Sequence, residues 1–312
     1  MVEQLTCFKS YDVRGILGEN FDEKICFRIA RGFAQKFAAK KVVLGFDSRE
    51  TSVTLAHSIS KGLQSQGVTV LNIGLCGTEE MYHATSYFSA CGGIQVTASH
   101  NPINYNGLKM VKEMSQPLDP ETDLFEVKSI AEKNIFKDPR SPGSFIDVSK
   151  EARLHYVDKV LSFVNFKKFT NKKILVNCGN GTAGPTFDAI AKKLESHTDA
   201  LTFLRMHHDP DSSFPNGIPN PLLEENRPVT KTGVLEAKAD FGIAFDGDFD
   251  RCFFFDDQGN FVSGEYIVGL LAEFFLIKEP NARIVHDPRL IYNSKDIILS
   301  NGGIAIKSKT GH

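Results

Sequence analysis

The sequence predicts an α/β protein of consecutive domains, with mixed, largely parallel sheets flanked by helices. Two observations carry this. Short apolar runs of strand length alternate with amphipathic runs of helix length almost throughout. A Pro- and Gly-containing break, Asp138-Pro139-Arg140-Ser141-Pro142-Gly143-Ser144, then divides the alternation into separate units. The expected divisions are residues 1–144, 145–252 and 253–312.

Taken in order, Phe21 to Phe37 reads as an amphipathic helix, and Lys41-Val42-Val43-Leu44-Gly45-Phe46 as a buried strand. A helix follows from Ser52, with Leu55, Ile59 and Leu63 on one face, and Val68 to Ile73 is the next strand. A helix around Met81 to Phe88 leads to a strand that ends at Ser99. This β-α-β-α-β order argues for parallel pairing. Gly107 to Val111 is a short strand, and Pro120 to Asn134 a helix. In the second unit, Tyr156, Val160 and Phe163 mark a helix, Lys173 to Asn177 a strand, and Thr202 to Met206 another. Between the strands, Gly179 to Gly184 turns into a helix from Pro185. It lacks the Lys-Ser/Thr of a P-loop and reads as a tight structural turn. His208 to Leu223 is a long loop, of the kind that tends to be functional or mobile. Phe241 to Phe245 is a buried strand. The third unit is read as strand Cys252 to Phe255, helix Glu265 to Ile277, strand Arg283 to His286, helix Ile291 to Ser300 and strand Gly303 to Ile306.

Composition narrows the function. Across 312 residues the net charge is −2, so there is no basic footprint for nucleic acid or an anionic membrane surface. The six cysteines are scattered without a Cys-x-x-Cys pair, which argues against a disulfide framework or zinc site and suits the cytoplasm. No apolar run is long enough to span a bilayer, and the first residues do not resemble a signal peptide.

Two loops concentrate reactive groups. Thr97-Ala98-Ser99-His100-Asn101-Pro102 places a serine just past the carboxyl end of a buried strand, where open α/β sheets put their chemistry. Asp246-Gly247-Asp248-Phe249-Asp250-Arg251 places three carboxylates at alternate positions after another buried strand. Those charges repel unless a cation neutralises them, and hard oxygen ligands favour Mg²⁺ or Ca²⁺. An EF-hand is set aside, because Arg251 stands where that loop needs glycine. Mg²⁺ usually adds a phosphate oxygen to its carboxylates, so this loop asks for a phosphate partner. Arg14, followed by Gly15, fits either a bidentate phosphate contact or a surface turn. Lys109 fits either a desolvated lysine beside phosphate or one that snorkels to water. Asp47-Ser48-Arg49 could orient the Ser99 loop or belong to a helix cap, and Ser52 reads as the cap itself.

Taken together, Thr97–Pro102, Gly107-Leu108-Lys109-Met110 and Asp246–Arg251 resemble the α-D-phosphohexomutase family, and the whole chain resembles its bacterial phosphomannomutase branch. Supporting stretches are Cys7–Gly15, Gly77-Thr78-Glu79-Glu80, Phe214–Leu223 and Lys309-Thr310-Gly311-His312. The resemblance implies interconversion of mannose 6-phosphate and mannose 1-phosphate through a phosphoserine and a hexose 1,6-bisphosphate. It also leaves open phosphoglucomutase or dual-specificity activity. It implies that Ser99 carries the phosphoryl group, with His100 and Asn101 beside it, the latter toward substrate. Asp246, Asp248 and Asp250 match the Mg²⁺ ligands, with a phosphoserine oxygen completing the set. Arg14, Lys109 and Arg251 match residues that steady the phosphoryl group and assist proton transfer, and His312 a histidine near the sugar. The implied partners are sugar phosphates, and the implied assembly is a monomer or homodimer. Against the family's four-domain plan, the third domain is expected to be incomplete and the fourth absent. The sugar-reading Gly-Glu-x-Ser-x-His pattern has no counterpart here. These residues alone are therefore expected to bind metal and accept phosphate with little turnover, or to act as a non-catalytic sugar-phosphate binder, with apolar helix faces left uncovered.

Overall fold

The computed structural model describes residues 4–136, 139, 141–166, 169–289 and 291–308. Its first sheet is built around β2 (Lys41–Phe46), β3 (Thr69–Leu75) and β4 (Gly92–Val96), which pair in parallel. The strands alternate with α1 (Glu23–Lys36), α2 (Ser52–Gln64) and α3 (Thr78–Tyr87), as the apolar spacing predicts. Asp22 caps α1 by accepting the amide of Ile25 at 2.8 Å. At the β4 side β5 (Tyr105–Lys112) runs antiparallel to β4 and β1 (Val13–Ile16) antiparallel to β5, and with β6 (Phe145–Asp147) at the far edge the order is β1-β5-β4-β2-β3-β6. The turn from β4 to β5 is too short for a crossover, so the chain doubles back and the pair must be antiparallel.

Both faces of this sheet are covered. Ile29, Phe33, Leu55, Ile59 and Val127 pack on one face with Val42, Leu44 and Ile94. On the other, Met81 and Ala84 meet Val43, Leu71 and Ile73. The helix expected over Pro120–Asn134 is in two parts: a wide turn, Pro120–Leu124, precedes α4 (Phe125–Lys133).

The break at 138–144 does not lead straight into a new sheet. β6 (Phe145–Asp147) pairs in parallel with β3 and extends the first sheet. α5 (Ser149–Leu161) then bridges the units. Its Ala152 lies in the first sheet's packing, while Val157 and Leu161 pack with Leu194 of α6 (Ala183–Glu195).

The second sheet has the order β11-β10-β9-β7-β8. β7 (Lys172–Asn177) pairs in parallel with β8 (Leu201–Met206) and β9 (Phe241–Phe245), with α7 (Arg227–Ala237) packed through Val234 on Leu175 and Ala244. β10 (Cys252–Phe255) differs from its sequence-based assignment to the third unit. It pairs antiparallel with β9, and β11 (Phe261–Val262) pairs with it in turn. The reason again is a connection, 246–251, too short for anything but a reversal. A third unit follows, with α8 (Gly264–Lys278), β12 (Arg283–His286), α9 (Tyr292–Ser300) and β13 (Ile304–Lys307). Its two strands pair in parallel. Ala272, Leu276 and Ile298 form its core, and Leu270 and Ile277 of α8 are exposed. Among the described residues, no helix is long and apolar enough to cross a membrane.

Candidate active site

The serine loop leaves the carboxyl end of β4, and the acidic loop leaves the carboxyl end of β9. The two meet. Ser99 is buried in the left-handed region, φ 49°, a conformation that costs about 1–3 kcal/mol for a non-glycine residue. The loop is held from within, with the Ser99 amide donating to Thr97 Oγ1 at 2.9 Å and the Asn101 amide to the Ala98 carbonyl at 2.8 Å. The result aims Ser99 Oγ across the domain boundary. It donates to Asp246 Oδ2 at 2.7 Å and lies 3.0 Å from His100 Nδ1. Arg251 Nη1 is 3.2 Å from the same His100 nitrogen.

The acidic loop brings one oxygen from each of Asp246, Asp248 and Asp250 within 4.8 Å of the others. Asp246 and Asp248 are fully buried. Lys109 comes up from β5 to meet them, its Nζ donating to Asp248 Oδ2 at 2.7 Å and pairing with Asp250. Lys109 is 4% exposed, so its ammonium is desolvated and does not snorkel to water. Burial opposes its charge, but the Asp248 and Asp250 carboxylates hold its pKa above the usual lysine range. Burial likewise works against the charge of Asp248. The Lys109 charge, with hydrogen bonds from Lys109 and Thr78, nevertheless holds its carboxyl well below the ordinary range. Burial pushes the Asp246 carboxyl up, and the neighbouring Asp248 charge adds to that.

The donor set fits a divalent cation. Asp248 Oδ1 and Asp250 Oδ1 are buried and have no hydrogen-bond partner, which proteins rarely leave unexplained. Both are hard carboxylate oxygens on the same loop as Asp246, whose own Oδ2 meets the Ser99 hydroxyl.

Arg14 on β1 stands at the root of the serine loop. Its Nη1 donates to the Thr97 carbonyl at 2.5 Å, and its Nη2 pairs with Asp12 at 3.2 Å. Asn101 lies half-buried on the loop itself. Arg251 flanks the acidic cluster, its Nε 3.9 Å from both Asp246 and Asp250. Ser99, His100, Lys109, Asp246, Asp248, Asp250 and Arg251 thus form one contiguous group, with Arg14 bonded to the loop that carries two of them. His312 and its Lys309–Gly311 neighbours lie outside the described residues.

Other residues of the group have no obvious chemistry in the sequence. Thr78, at the start of α3, donates through Oγ1 to Asp248 Oδ2 at 2.6 Å and through its amide to the Asp248 carbonyl at 3.2 Å. Preceding it, Gly77 lies under the Phe249 ring, where a Cβ would stand 2.3 Å from Phe249 Cε1. The Gly179–Gly184 turn is structural, as its sequence suggests, and what it supports is the acidic loop. Thr182 donates to the Gly247 carbonyl through both its amide and its hydroxyl, at 3.0 Å each. The Gly-Thr-Glu-Glu run was the only signal pointing toward this layer. One reading is corrected: Ser52 makes no cap. It is the first residue of α2 rather than its cap, and its fully buried hydroxyl donates to Asp47 Oδ1 at 2.5 Å instead of accepting an amide of the helix's first turn.

The chain matches the family described as phosphoglucomutase/phosphomannomutase, α/β/α domain I, over residues 5–138, and its domain II over residues 154–259. It is 50% identical to a phosphomannomutase of Escherichia coli over 99% of this chain and 68% of that relative. It is 44% identical to a protein of Xanthomonas campestris named phosphohexose mutases, over 99% of this chain and 67% of that relative. Among solved structures, a phosphoglucomutase/phosphomannomutase family protein of Burkholderia thailandensis superposes with a TM-score of 0.88 at 28% identity. That match covers 100% of this chain and 68% of the other.

Proposed function

The chain belongs to the phosphoglucomutase/phosphomannomutase family, and on that premise we propose that it acts in the cytoplasm as a phosphomannomutase, moving a phosphoryl group between O6 and O1 of mannose phosphates by way of Ser99. The observation that carries this reading is the Ser99 Oγ to Asp246 Oδ2 contact of 2.7 Å, which joins a hydroxyl of one unit to the acidic loop of the other.

In this reading Asp246, Asp248 and Asp250 would hold Mg²⁺ together with phosphorylated Ser99. When bound, the ion neutralises charge on the phosphoryl group and so favours transfer. The chain's own residues do the rest. Phosphoryl transfer needs positioning and charge stabilisation more than covalent help. The left-handed turn at Ser99 presents the oxygen, and Arg251 and Lys109 add positive charge at the edge of the site. In the forward half-reaction the O–P bond at phosphoserine breaks as a sugar hydroxyl forms its own. The sugar hydroxyl's proton is taken up within the site, and Ser99 Oγ is returned as a hydroxyl. The resulting hexose 1,6-bisphosphate then gives its other phosphoryl group back to Ser99. Arg14 steadies the loop root through Thr97, Asn101 faces substrate, and His312 serves near the sugar.

A second reading, dual specificity toward glucose phosphates, is favoured by the name of the Xanthomonas campestris relative. A coupled assay with mannose 6-phosphate, Mg²⁺ and catalytic glucose 1,6-bisphosphate tests both when glucose 1-phosphate is run in parallel. Turnover on mannose phosphate that disappears in Ser99→Ala is expected. Full activity in Ser99→Ala would sink the proposal, and comparable turnover on both sugars would establish the dual reading.

A further inference from the structure

Beneath the serine loop lies a buried ion pair whose partners all belong to that loop or its supports. Arg49 is 3% exposed and Asp47 2%. The Arg49 guanidinium spends its donors on main-chain carbonyls. Nη1 donates to Pro102 at 2.9 Å and Tyr105 at 3.1 Å, and Nη2 to Ser99 at 3.0 Å and Asn101 at 2.5 Å. Asp47 takes the other side. Its Oδ2 accepts the Ala98 amide at 3.3 Å and faces Arg49 Nε at 3.6 Å. Its Oδ1 accepts the Arg49 amide at 3.0 Å and the Ser52 hydroxyl at 2.5 Å. Asn106, just past the loop, donates to that same hydroxyl at 2.9 Å. From the second unit, the Phe214 ring closes over the guanidinium, 5.8 Å from ring centre to Cζ.

We infer that Arg49, oriented by Asp47, is the positioning residue of the phosphoryl-accepting loop: by fixing four carbonyls between Ser99 and Tyr105 it holds Ser99 in the turn that aims its hydroxyl at the acidic loop. The inference rests on the reading of Ser99 as phosphoryl carrier. A left-handed serine relaxes unless its surroundings over-determine it, and here the carbonyl of Ser99 itself is one of the four. Lysine cannot replace this. An ammonium is a point donor without the planar fork that bridges carbonyls at separate positions. The guanidinium touches none of the acidic-loop carboxylates, so its loss should spare the metal site.

The test uses the full chain and follows phosphoryl uptake from glucose 1,6-bisphosphate with Mg²⁺ by intact mass, beside Mn²⁺ titration calorimetry and circular dichroism. Arg49→Lys should fold and bind Mn²⁺ like the wild type. Its maximal uptake rate should be about 100-fold lower, the scale expected when a reacting group is displaced by about 1 Å. The donor concentration for half-maximal rate should be unchanged. Asp47→Asn, which removes the charge facing Arg49 Nε and the oxygen that accepts the Ala98 amide, should slow uptake about tenfold, the worth of one buried hydrogen bond. A folded Arg49→Lys with wild-type uptake overturns the inference and leaves the Ser99 reading standing. If Arg49→Lys does not fold, an undiminished rate in Asp47→Asn overturns it equally. Wild-type protein that takes up no phosphoryl group overturns the Ser99 reading and this inference together.

Discussion

Lys109 sets the charge balance of the site, because it is a buried cation paired with two of three clustered carboxylates. Removing one partner of such a group leaves uncompensated charge in a poor solvent, at a cost of about 3–5 kcal/mol. Lys109→Met should therefore lose that much stability in urea melts without metal. Mg²⁺ should restore a large part of it, since an ion that binds only the folded state adds about 2.7 kcal/mol at a hundred times its Kd. A metal-free Lys109→Met as stable as the wild type would contradict the pairing. Thr78→Val keeps shape and removes the hydroxyl bound to Asp248, and should weaken Mn²⁺ binding by about 10–100-fold in calorimetry. Equal affinity would show that the hydroxyl does not orient the ligand. These residues differ in how far the sequence reveals them. Ser99, Lys109 and the three aspartates stand in short local runs whose chemistry is legible. Thr78 is legible only through its Gly-Thr-Glu-Glu run, and its role is not, because its partner Asp248 lies 170 positions away and a threonine opening a helix looks ordinary.

At the scale of elements, both reactive loops occupy the same kind of place. Each joins the end of a strand to an antiparallel neighbour, β4 to β5 and β9 to β10. Loops there have tight ends, so their side chains are fixed by the sheet rather than by a long flexible connection. The alternation of strands and helices was readable from apolar spacing. Which strands pair was not, since a short apolar run such as Cys252–Phe255 carries no mark of its neighbour. The same limit hid β6, whose residues follow a Pro-rich break yet extend the first sheet. Contact between the loops leaves no room for a side chain at Gly247, where a Cβ would stand 2.5 Å from the Ser99 carbonyl oxygen. Gly247→Ala should push the loops apart, costing about 1–3 kcal/mol in denaturant melts and slowing phosphoryl uptake by Ser99. Unchanged stability and uptake would mean that the loops do not need this approach.

Across the whole molecule, the site exists only because two units are locked together. The start of α3 in the first unit grips the acidic loop of the second through Thr78, and Glu80 accepts hydrogen bonds from Arg153 at 3.0 Å and Thr186 at 2.8 Å. Metal bound by the aspartates should therefore quieten both sides of the boundary. Hydrogen exchange should slow on adding Mg²⁺ at 97–104 in the first unit as well as at 246–251, and protection confined to 246–251 would contradict the coupling. In the proposed reading, a serine of one unit and the carboxylates of the next make one phosphoryl-transfer site. Incubation with glucose 1,6-bisphosphate and Mg²⁺, followed by intact mass and peptide mapping, tests it most directly. A single phosphoryl group on Ser99 is expected, with uptake that requires Mg²⁺ and collapses in Asp248→Asn. A phosphoryl group on another residue, or uptake by Ser99 indifferent to Asp248→Asn, would contradict it.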